Sequence, residues 1–238
     1  MTRIYHSEKL AEQQVIQLES QAAQHVARVL RKQVNDSLIL FDGSGYEYQA
    51  VIKSIQRQIV QVHIVSSCAV DRESPVKIHL LQGLCRGEKM DLIIQKAVEL
   101  GVASITPVLT EFSNVKLSPD RLAKKLVHWQ KVIISACEQC GRNIIPVINL
   151  PIALTEYLSS FAKLNNELFL VCSTDANKLL NELKLGSYNT VNVLIGPEGG
   201  FSPAENTQFE ALGWQQVSLG PRILRTETAA IAVLAMLQ

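Results

Sequence analysis

Two hydrophobic rhythms divide the chain. Before about residue 70, apolar and polar positions alternate in short runs. "SLILF" (37–41), "YEYQAVIK" (46–53) and "QIVQVHIV" (58–65) predict strands, and "DGSG" (42–45) supplies turn chemistry between the first two. Such runs fit antiparallel hairpins. One helix interrupts them over about 20–31. Its apolar stripe is Ala22, Ala23, Val26, Val29 and Leu30, and Gln21, Gln24, His25, Arg28, Arg31 and Lys32 fall on the opposite face. Small strands with one helix predict a small barrel. "DRESP" (71–75) is polar and ends in proline, which places a domain boundary there, giving domains 1–73 and 74–238.

From residue 76 the rhythm becomes strand–helix alternation. "VKIHLLQ" (76–82) reads as an apolar strand. "MDLIIQKAVEL" (90–100) has helical spacing at Met90, Ile93, Ile94, Ala97 and Leu100, stopped by Gly101. "SITPVLT" (104–110) is the next strand. Ser118-Pro119 opens a long helix to about Cys140, ended by Gly141. "NELFLVC" (166–172) and "VNVLI" (191–195) are buried strands, and Ser202-Pro203-Ala204-Glu205 is a capping box for a helix ending before Gly213. "QQVSL" (215–219) is the last strand, and a final helix begins near Thr226. This alternation predicts an α/β domain with a mostly parallel sheet. The final helix is apolar nearly all round from Ala229 to Leu237, so it is expected to be buried on more than one side, within the domain or by a partner chain.

Composition narrows the class. The 238 residues are 47% hydrophobic and 19% charged, ordinary for a chain that buries a real core. The net charge of +1 favours no class of partner by itself. Residues 76–150 hold 10 Lys/Arg against 6 Asp/Glu, a basic stretch that could face phosphates. Five cysteines without regular spacing suit a reducing compartment, and the N-terminus lacks the apolar core of a signal peptide. No run reaches the ~18 apolar residues of a membrane span. A cytoplasmic protein without membrane contact is expected.

The strongest local signal is "LIGPEGGFS" (194–202), a strand running into a turn with three glycines and a proline. It is not a Walker A loop, because no lysine follows, and it is not the dinucleotide fingerprint of a first Rossmann strand. With Glu198 in the turn, a phosphate would be repelled, so a ligand with a neutral or cationic portion fits better. The next strand also ends in Gly-Pro, in "SLGPRILRTETAA" (218–230). Ligands in open α/β sheets sit beyond the carboxyl ends of strands. Two such loops, expected on adjacent strands, would form one pocket.

These two stretches, with "FDGSG" (41–45), "EKMDLIIQKAVELGV" (88–102) and "EQCGR" (138–142), resemble the RsmE family of small-subunit (16S) ribosomal RNA uridine-N3 methyltransferases, in the SPOUT superfamily. The resemblance spans essentially the whole chain. It implies a PUA-like, RNA-binding β-barrel followed by a SPOUT methyltransferase domain with a C-terminal trefoil knot. It also implies S-adenosyl-L-methionine (SAM) as cofactor, a homodimer, 16S ribosomal RNA as partner in the assembled small subunit, and no metal. The knot is not something periodicity could show, since knots are nearly absent from folds. The implied cofactor residues are Val171, Cys172 and Ser173; Gly196, Pro197, Glu198, Gly199 and Gly200; and Leu219, Gly220, Ile223, Leu224 and Arg225. Leu219, Ile223 and Leu224 would cover the adenine.

Uridine N3 is a poor nucleophile while protonated. A guanidinium could stabilise charge developing on the uracil oxygens. Arg225 and Arg142 are the candidates for that task or for gripping phosphate, with salt bridging or helix capping as their alternative roles. Glu198 is a candidate base, or the residue that shapes its loop. RNA-contact candidates are His25, Arg28, Arg31 and Lys32 on the first helix, and Arg86 and Lys89 before the second; a purely surface role stays open for each. Cys137 and Cys140 form a CxxC near a helix C-terminus. That is the wrong end to favour a thiolate, and no second cysteine pair completes a zinc site. His63 and His79 sit in apolar strands and read as satisfied core histidines.

Overall fold

The computed structural model describes residues 2–57, 59–85, 87–113, 118–160, 166–183, 186 and 188–238. The chain forms two compact units. The first comprises Met1–Glu73 together with Cys137–Ile145; the second comprises Ser74–Ala136 and Pro146–Gln238.

The first unit holds β1 (Arg3–Tyr5), β2 (Val15–Gln17), a short α1 (Ser20–Gln24), β3 (Ser37–Phe41), β4 (Tyr46–Gln56) and β5 (Ile59–Ala69). The strands pair in the order β1-β3-β4-β5-β2, antiparallel except for β1 beside β3. Register shifts at Gln49/Ala50 and Ile52/Ser54 mark bulges in the β4–β5 ribbon, the local device that bends and twists a sheet. Leu38, Leu40, Ala50, Ile52, Val60, Val62 and Ile64 point inward and pack with Ile4, Leu18, Ala23 and Val26. The β3–β4 turn is held by Asp42. Its carboxylate accepts from the N–H of Leu10 and of Ser44, both at 3.0 Å. Burial raises the Asp42 pKa, but these bonds outweigh it and hold the group below the ordinary carboxylate value.

The first helix departs from its expected stripe. After Gln24 the backbone widens into a π-helical turn over His25–Val29, with Leu30 N–H donating to the His25 carbonyl at 2.9 Å. A π turn advances each residue by a smaller angle, so residues beyond it leave the stripe. Ala23 and Val26 are buried as expected, whereas Val29 and Leu30 face solvent, Val29 at 68% exposure.

The 137–145 segment joins the first unit through arginines. Arg3 donates to Glu47 and to Asn143. Arg72 donates to Glu47 at 2.6 Å and to the Gly141 carbonyl at 2.8 Å. Arg142 forms a two-pronged ion pair with Glu73, through Nε at 3.0 Å and through Nη2. Gly141, with φ +90°, takes the left-handed conformation that ends the preceding helix.

The second unit contains β6 (Lys77–Gly83), α2 (Lys89–Glu99), β7 (Ser104–Leu109), most of α3 (Pro119–Cys140), β8 (Val147–Ile148), β9 (Ile152–Ala153), α4 (Leu154–Ser159), β10 (Glu167–Cys172), β11 (Thr190–Ile195), α5 (Pro203–Ala211), β12 (Gln215–Val217) and α6 (Thr226–Met236). The sheet order is β12-β10-β11-β6-β7-β8, with β9 also on β7, and every pairing is parallel. On one face Leu81, Phe169, Val171 and Leu194 pack against Leu154, Leu158, Phe209 and Trp214 of the α4–α5 layer. Trp214 stacks on Phe209 at 5.8 Å between ring centroids and lies 5.2 Å from Phe169. Leu80, Leu170 and Val193 alternate to the other face. There α2 buries Met90, Ile93, Ile94, Ala97 and Val98, and packs against α6.

One sequence expectation is corrected here. The two strands that end in Gly-Pro turns are not neighbours: β10 lies between β11 and β12. The final helix also differs from a fully buried rod. It buries Thr226, Ala230, Val233 and Leu234, but leaves Met236 at 43% exposure.

Candidate functional site

Parallel pairing brings the carboxyl ends of the central strands to one edge. Cys172 pairs with Val217, Val171 with Leu194, Ile195 with Gln82, and Gly83 with Val108. The chain leaves β10, β11 and β12 at this edge, and the three departing loops enclose a cavity of about 1020 Å³. That is at the upper end of the ~300–1,000 Å³ range of small-molecule sites. Its walls are Cys172–Ala176, Gly196–Phe201 and Ser218–Thr226, with Lys89 at the rim.

The loops hold one another by backbone. Ser173 N–H donates to the Val217 carbonyl at 2.9 Å, and Leu180 N–H to the Ser218 carbonyl at 3.0 Å. Gly200 N–H donates to the Pro197 carbonyl at 2.9 Å, closing the second loop on itself. Gly200 and Gly220 have φ of +69° and +127°, conformations that glycine adopts without strain. The capping box at the start of α5 is present. Ser202 Oγ accepts from Glu205 N–H at 3.2 Å, and Glu205 Oε2 accepts from Ser202 N–H at 2.8 Å. Glu205 does more than the pattern foretells, because its other oxygen accepts from Glu111 N–H at 2.9 Å, anchoring the loop after β7.

Glu198 and Lys89 meet. The Lys89 ammonium donates to the Glu198 carboxylate at 2.7 Å, both side chains being partly exposed at the rim. That hydrogen bond raises the Lys89 pKa, so the ammonium stays charged. The pairing joins a residue expected at the RNA to one expected at the cofactor. Burial pushes the Cys172 thiol up to about 12 and the Cys85 thiol up to about 11. Both are protonated at neutral pH, and neither is a poised nucleophile.

The cavity brings together Cys172, Ser173, Gly196, Pro197, Glu198, Gly199, Gly200, Leu219, Gly220, Ile223, Leu224 and Arg225. Leu219 and Leu224 are half-buried, while Ile223 stands 85% exposed at the rim. Val171 is fully buried in the core cluster and does not line the cavity. Arg225 is exposed and immediately precedes α6. Arg142 belongs to the first unit, where it is buried against Glu73, and it is not a wall of the cavity. His25, Arg28 and Arg31 are exposed on the first unit, and Lys32 is half-buried. Arg86 lies outside the described residues. Cys137 is buried, its thiol pushed up to about 12, which suits packing rather than redox chemistry. His79 is bonded to Ser104 Oγ and, at 3.1 Å, to Thr106 Oγ1; burial depresses its pKa to about 4, so it is neutral.

Gly83 and Phe112 are among the site residues with no strong local signal in the sequence. A Cβ on Gly83 would lie 2.4 Å from Pro197 N and 2.7 Å from the Gly196 carbonyl carbon. The end of β6 therefore touches the second loop through bare backbone. Phe112, after β7, packs against Gly199, where a Cβ would meet the Phe112 Cβ at 3.0 Å. The only local hint at Gly83 was a glycine closing an apolar strand.

Comparison with known proteins agrees with this architecture. Residues 72–238 match the family model of the RNA methyltransferase domain, and residues 18–65 match that of the RNA methyltransferase PUA domain. A putative methyltransferase from Legionella pneumophila, solved in complex with the bound cofactor SAM, superposes with a TM-score of 0.94. It is 41% identical, with 100% of this chain and 96% of that one covered. A ribosomal RNA small subunit methyltransferase E from Neisseria gonorrhoeae, bound to S-adenosyl methionine, gives a TM-score of 0.90 at 36% identity, covering 99% and 95%. The protein of the same name from Buchnera aphidicola subsp. Schizaphis graminum is 40% identical, covering 99% of this chain and 95% of that relative. A PUA domain joined to a parallel-sheet methyltransferase domain, with a cavity at the strand ends, defines an RNA methyltransferase of the SPOUT type. Within that class, the chain belongs to the ribosomal RNA small subunit methyltransferase E family.

Proposed function

We propose that the chain methylates N3 of one uridine in 16S ribosomal RNA, with SAM as the methyl donor. The observation that carries this is the cavity of three loops at the parallel strand ends, in a fold whose relatives were solved with SAM bound. The residues fit that cofactor. Gly196, Gly199 and Gly200 let backbone approach the ligand closely. Leu219 and Leu224 offer an apolar face for a purine. The Glu198 carboxylate, which would oppose a phosphate, is compatible with a sulfonium. When bound, SAM supplies an electrophilic methyl group on a cationic sulfur.

The chain's own residues must make N3 reactive. Each pKa unit by which N3 lies above the working pH costs about 1.4 kcal/mol in reactive population. Arg225, exposed at the cavity wall, is the group we assign to the developing negative charge on the uracil oxygens. Glu198, paired with Lys89, is assigned to shaping the loop rather than to taking the proton. Arg142, committed to Glu73, is assigned to the integrity of the first unit. His25, Arg28, Arg31 and Lys32 are assigned to RNA phosphates, so binding should weaken as salt rises. The target uridine must be flipped out to expose N3.

We read the region 74–238 as knotted at its C-terminal end, as the resemblance implies, and the protein as a cytoplasmic homodimer acting on the assembled subunit. Support for a dimer is the exposure of apolar side chains on α2, α3 and α6, namely Leu92, Val127 and Met236.

Mass-spectrometric mapping of ribosomal RNA from cells with and without the gene tests the activity. Loss of one N3-methyluridine is expected; an unchanged profile overturns the proposal. Arg225→Ala should lower kcat at saturating SAM, and wild-type turnover in that variant would remove Arg225 from the mechanism.

A further inference from the structure

Behind the cavity wall at Gly196 and Thr226 runs a buried polar relay that none of the motif loops explains alone. Gln82, the penultimate residue of β6, is fully buried. Its Nε2 donates to Thr226 Oγ1 at 3.1 Å and to the Gly83 carbonyl at 3.1 Å. Thr226 Oγ1 in turn donates to the Gly196 carbonyl at 2.7 Å. A hydroxyl has one proton, and here it goes to Gly196, so Thr226 must accept from Gln82 and the direction of the relay is fixed. Gln82 Oε1 is buried without a partner among the described residues.

The placement of each member matters. Gly196 opens the second cavity loop. Its peptide bond leads to Pro197, which has no N–H, so the carbonyl is the only hydrogen-bonding group of that peptide plane. Thr226 is the first residue of α6 and directly follows the third loop. The one hydroxyl therefore ties the second loop, the third loop and the end of β6 at a single point. The Gly83 backbone presses on the Gly196–Pro197 peptide from the same strand end, so that peptide is fixed by contact and by one bond.

We infer that Thr226, oriented by Gln82, is a positioning residue. It sets the Gly196–Pro197 peptide and registers the second loop against the third, so that the cavity is preformed for SAM. The inference rests on the SAM reading above and adds which residues preform the site. A hydroxyl is required, and the methyl group fills buried space, since Thr226 is only 7% exposed.

The test compares Thr226→Val, which keeps the shape and removes the hydroxyl, with Thr226→Ser, which keeps the hydroxyl. SAM affinity is measured by calorimetry on folded protein well below its melting temperature, beside turnover on RNA. Thr226→Val should bind SAM roughly tenfold or more weakly and raise its KM in parallel, while kcat at saturating SAM stays within a few-fold of wild type. Thr226→Ser should recover affinity to within a few-fold. Gln82→Met should weaken binding in the same direction, and combined with Thr226→Val it should add little, because both break one relay. If Thr226→Val does not yield folded protein, Gln82→Met carries the test. Wild-type SAM affinity in folded Thr226→Val, or in Gln82→Met where only that variant folds, would overturn the positioning role and leave the SAM reading intact. Failure of the wild-type protein to bind SAM would overturn both.

Discussion

Gly83→Ala is the sharpest probe of how the cavity is built. An added Cβ would lie 2.4 Å from Pro197 N, 2.6 Å from Pro197 Cδ and 2.7 Å from the Gly196 carbonyl carbon. Ordinary contact begins at 3.4 Å, so the shortest approach is about 1 Å too close. The obstructing atoms are backbone and a proline ring, which have no rotamer to change. Relief requires the 196–197 peptide to move off the end of β6, and that movement stretches the 2.7 Å bond from Thr226 to Gly196. Overpacking of this kind costs about 1–3 kcal/mol. Losing the relay bond adds about 1 kcal/mol. The reduced freedom of the unfolded chain returns about 0.4–1 kcal/mol. A net loss of about 1–3.6 kcal/mol follows, which for a chain of this size lowers Tm by roughly 2–14 °C. Differential scanning calorimetry measures the shift, and titration calorimetry measures SAM affinity at low temperature. Both should fall. A variant with unchanged Tm and unchanged SAM affinity would refute the claim that β6 and the second loop meet through bare backbone.

Three further outcomes follow from individual contacts. Glu205→Gln should destabilise by about 1–3 kcal/mol, because both carboxylate oxygens accept backbone N–H groups and an amide can serve only one of them; an unchanged Tm would refute the double anchor. His79 has a folded pKa of about 4 against 6.5 in the unfolded chain. Above pH 6.5 neither state takes the proton, and below it only the unfolded chain does, so this contribution falls by about 3 kcal/mol as pH drops from 6.5 to 4. Urea titrations of wild type and His79→Gln should show the wild type losing stability relative to the variant over that window, and a constant difference would refute it. Arg142→Met should destabilise by about 2–3 kcal/mol, because it strips the ion-pair partner from Glu73. Turnover of the folded variant should stay near wild type; a collapse in kcat without loss of stability would return Arg142 to the chemistry.

Much of the second unit was legible because its signals are local. The α2 positions Met90, Ile93, Ile94 and Ala97 are all buried, and the Ser202–Glu205 box caps α5 as its spacing requires. The first helix was misread beyond Val26 because a 3.6-residue period cannot foresee a π turn. The return of 137–145 to the first unit was invisible for another reason. It depends on Arg3, Arg72 and Arg142 finding Glu47, Asn143 and Glu73, pairings that span up to 140 residues. No window along the chain holds both partners. Lys89 and Glu198 each lie in a motif, but 109 positions separate them, so their pairing is beyond local pattern.

The same limit explains why the loop after β10 gives no local signal in the sequence yet lines the cavity. It carries no glycine or proline signature. Its importance comes from strand order. The chain goes from β10 to β11 on one side, then returns to place β12 on the other side of β10. Strand order thus reverses around β10, and a crevice opens beyond the carboxyl end of a strand where neighbouring connections depart in opposite directions. Cys172 and Ser173 enter that crevice because β10 is flanked by both motif-bearing strands, and its register sets Cys172 level with Val217. A one-residue slip would exchange the strand's two faces, turning Val171 out of the core and moving Cys172 from the cavity wall. The Gly-Pro loops supply the two walls that a reader can see in the sequence. Topology supplies the third, and the three close into one site only because β10 runs between the other two.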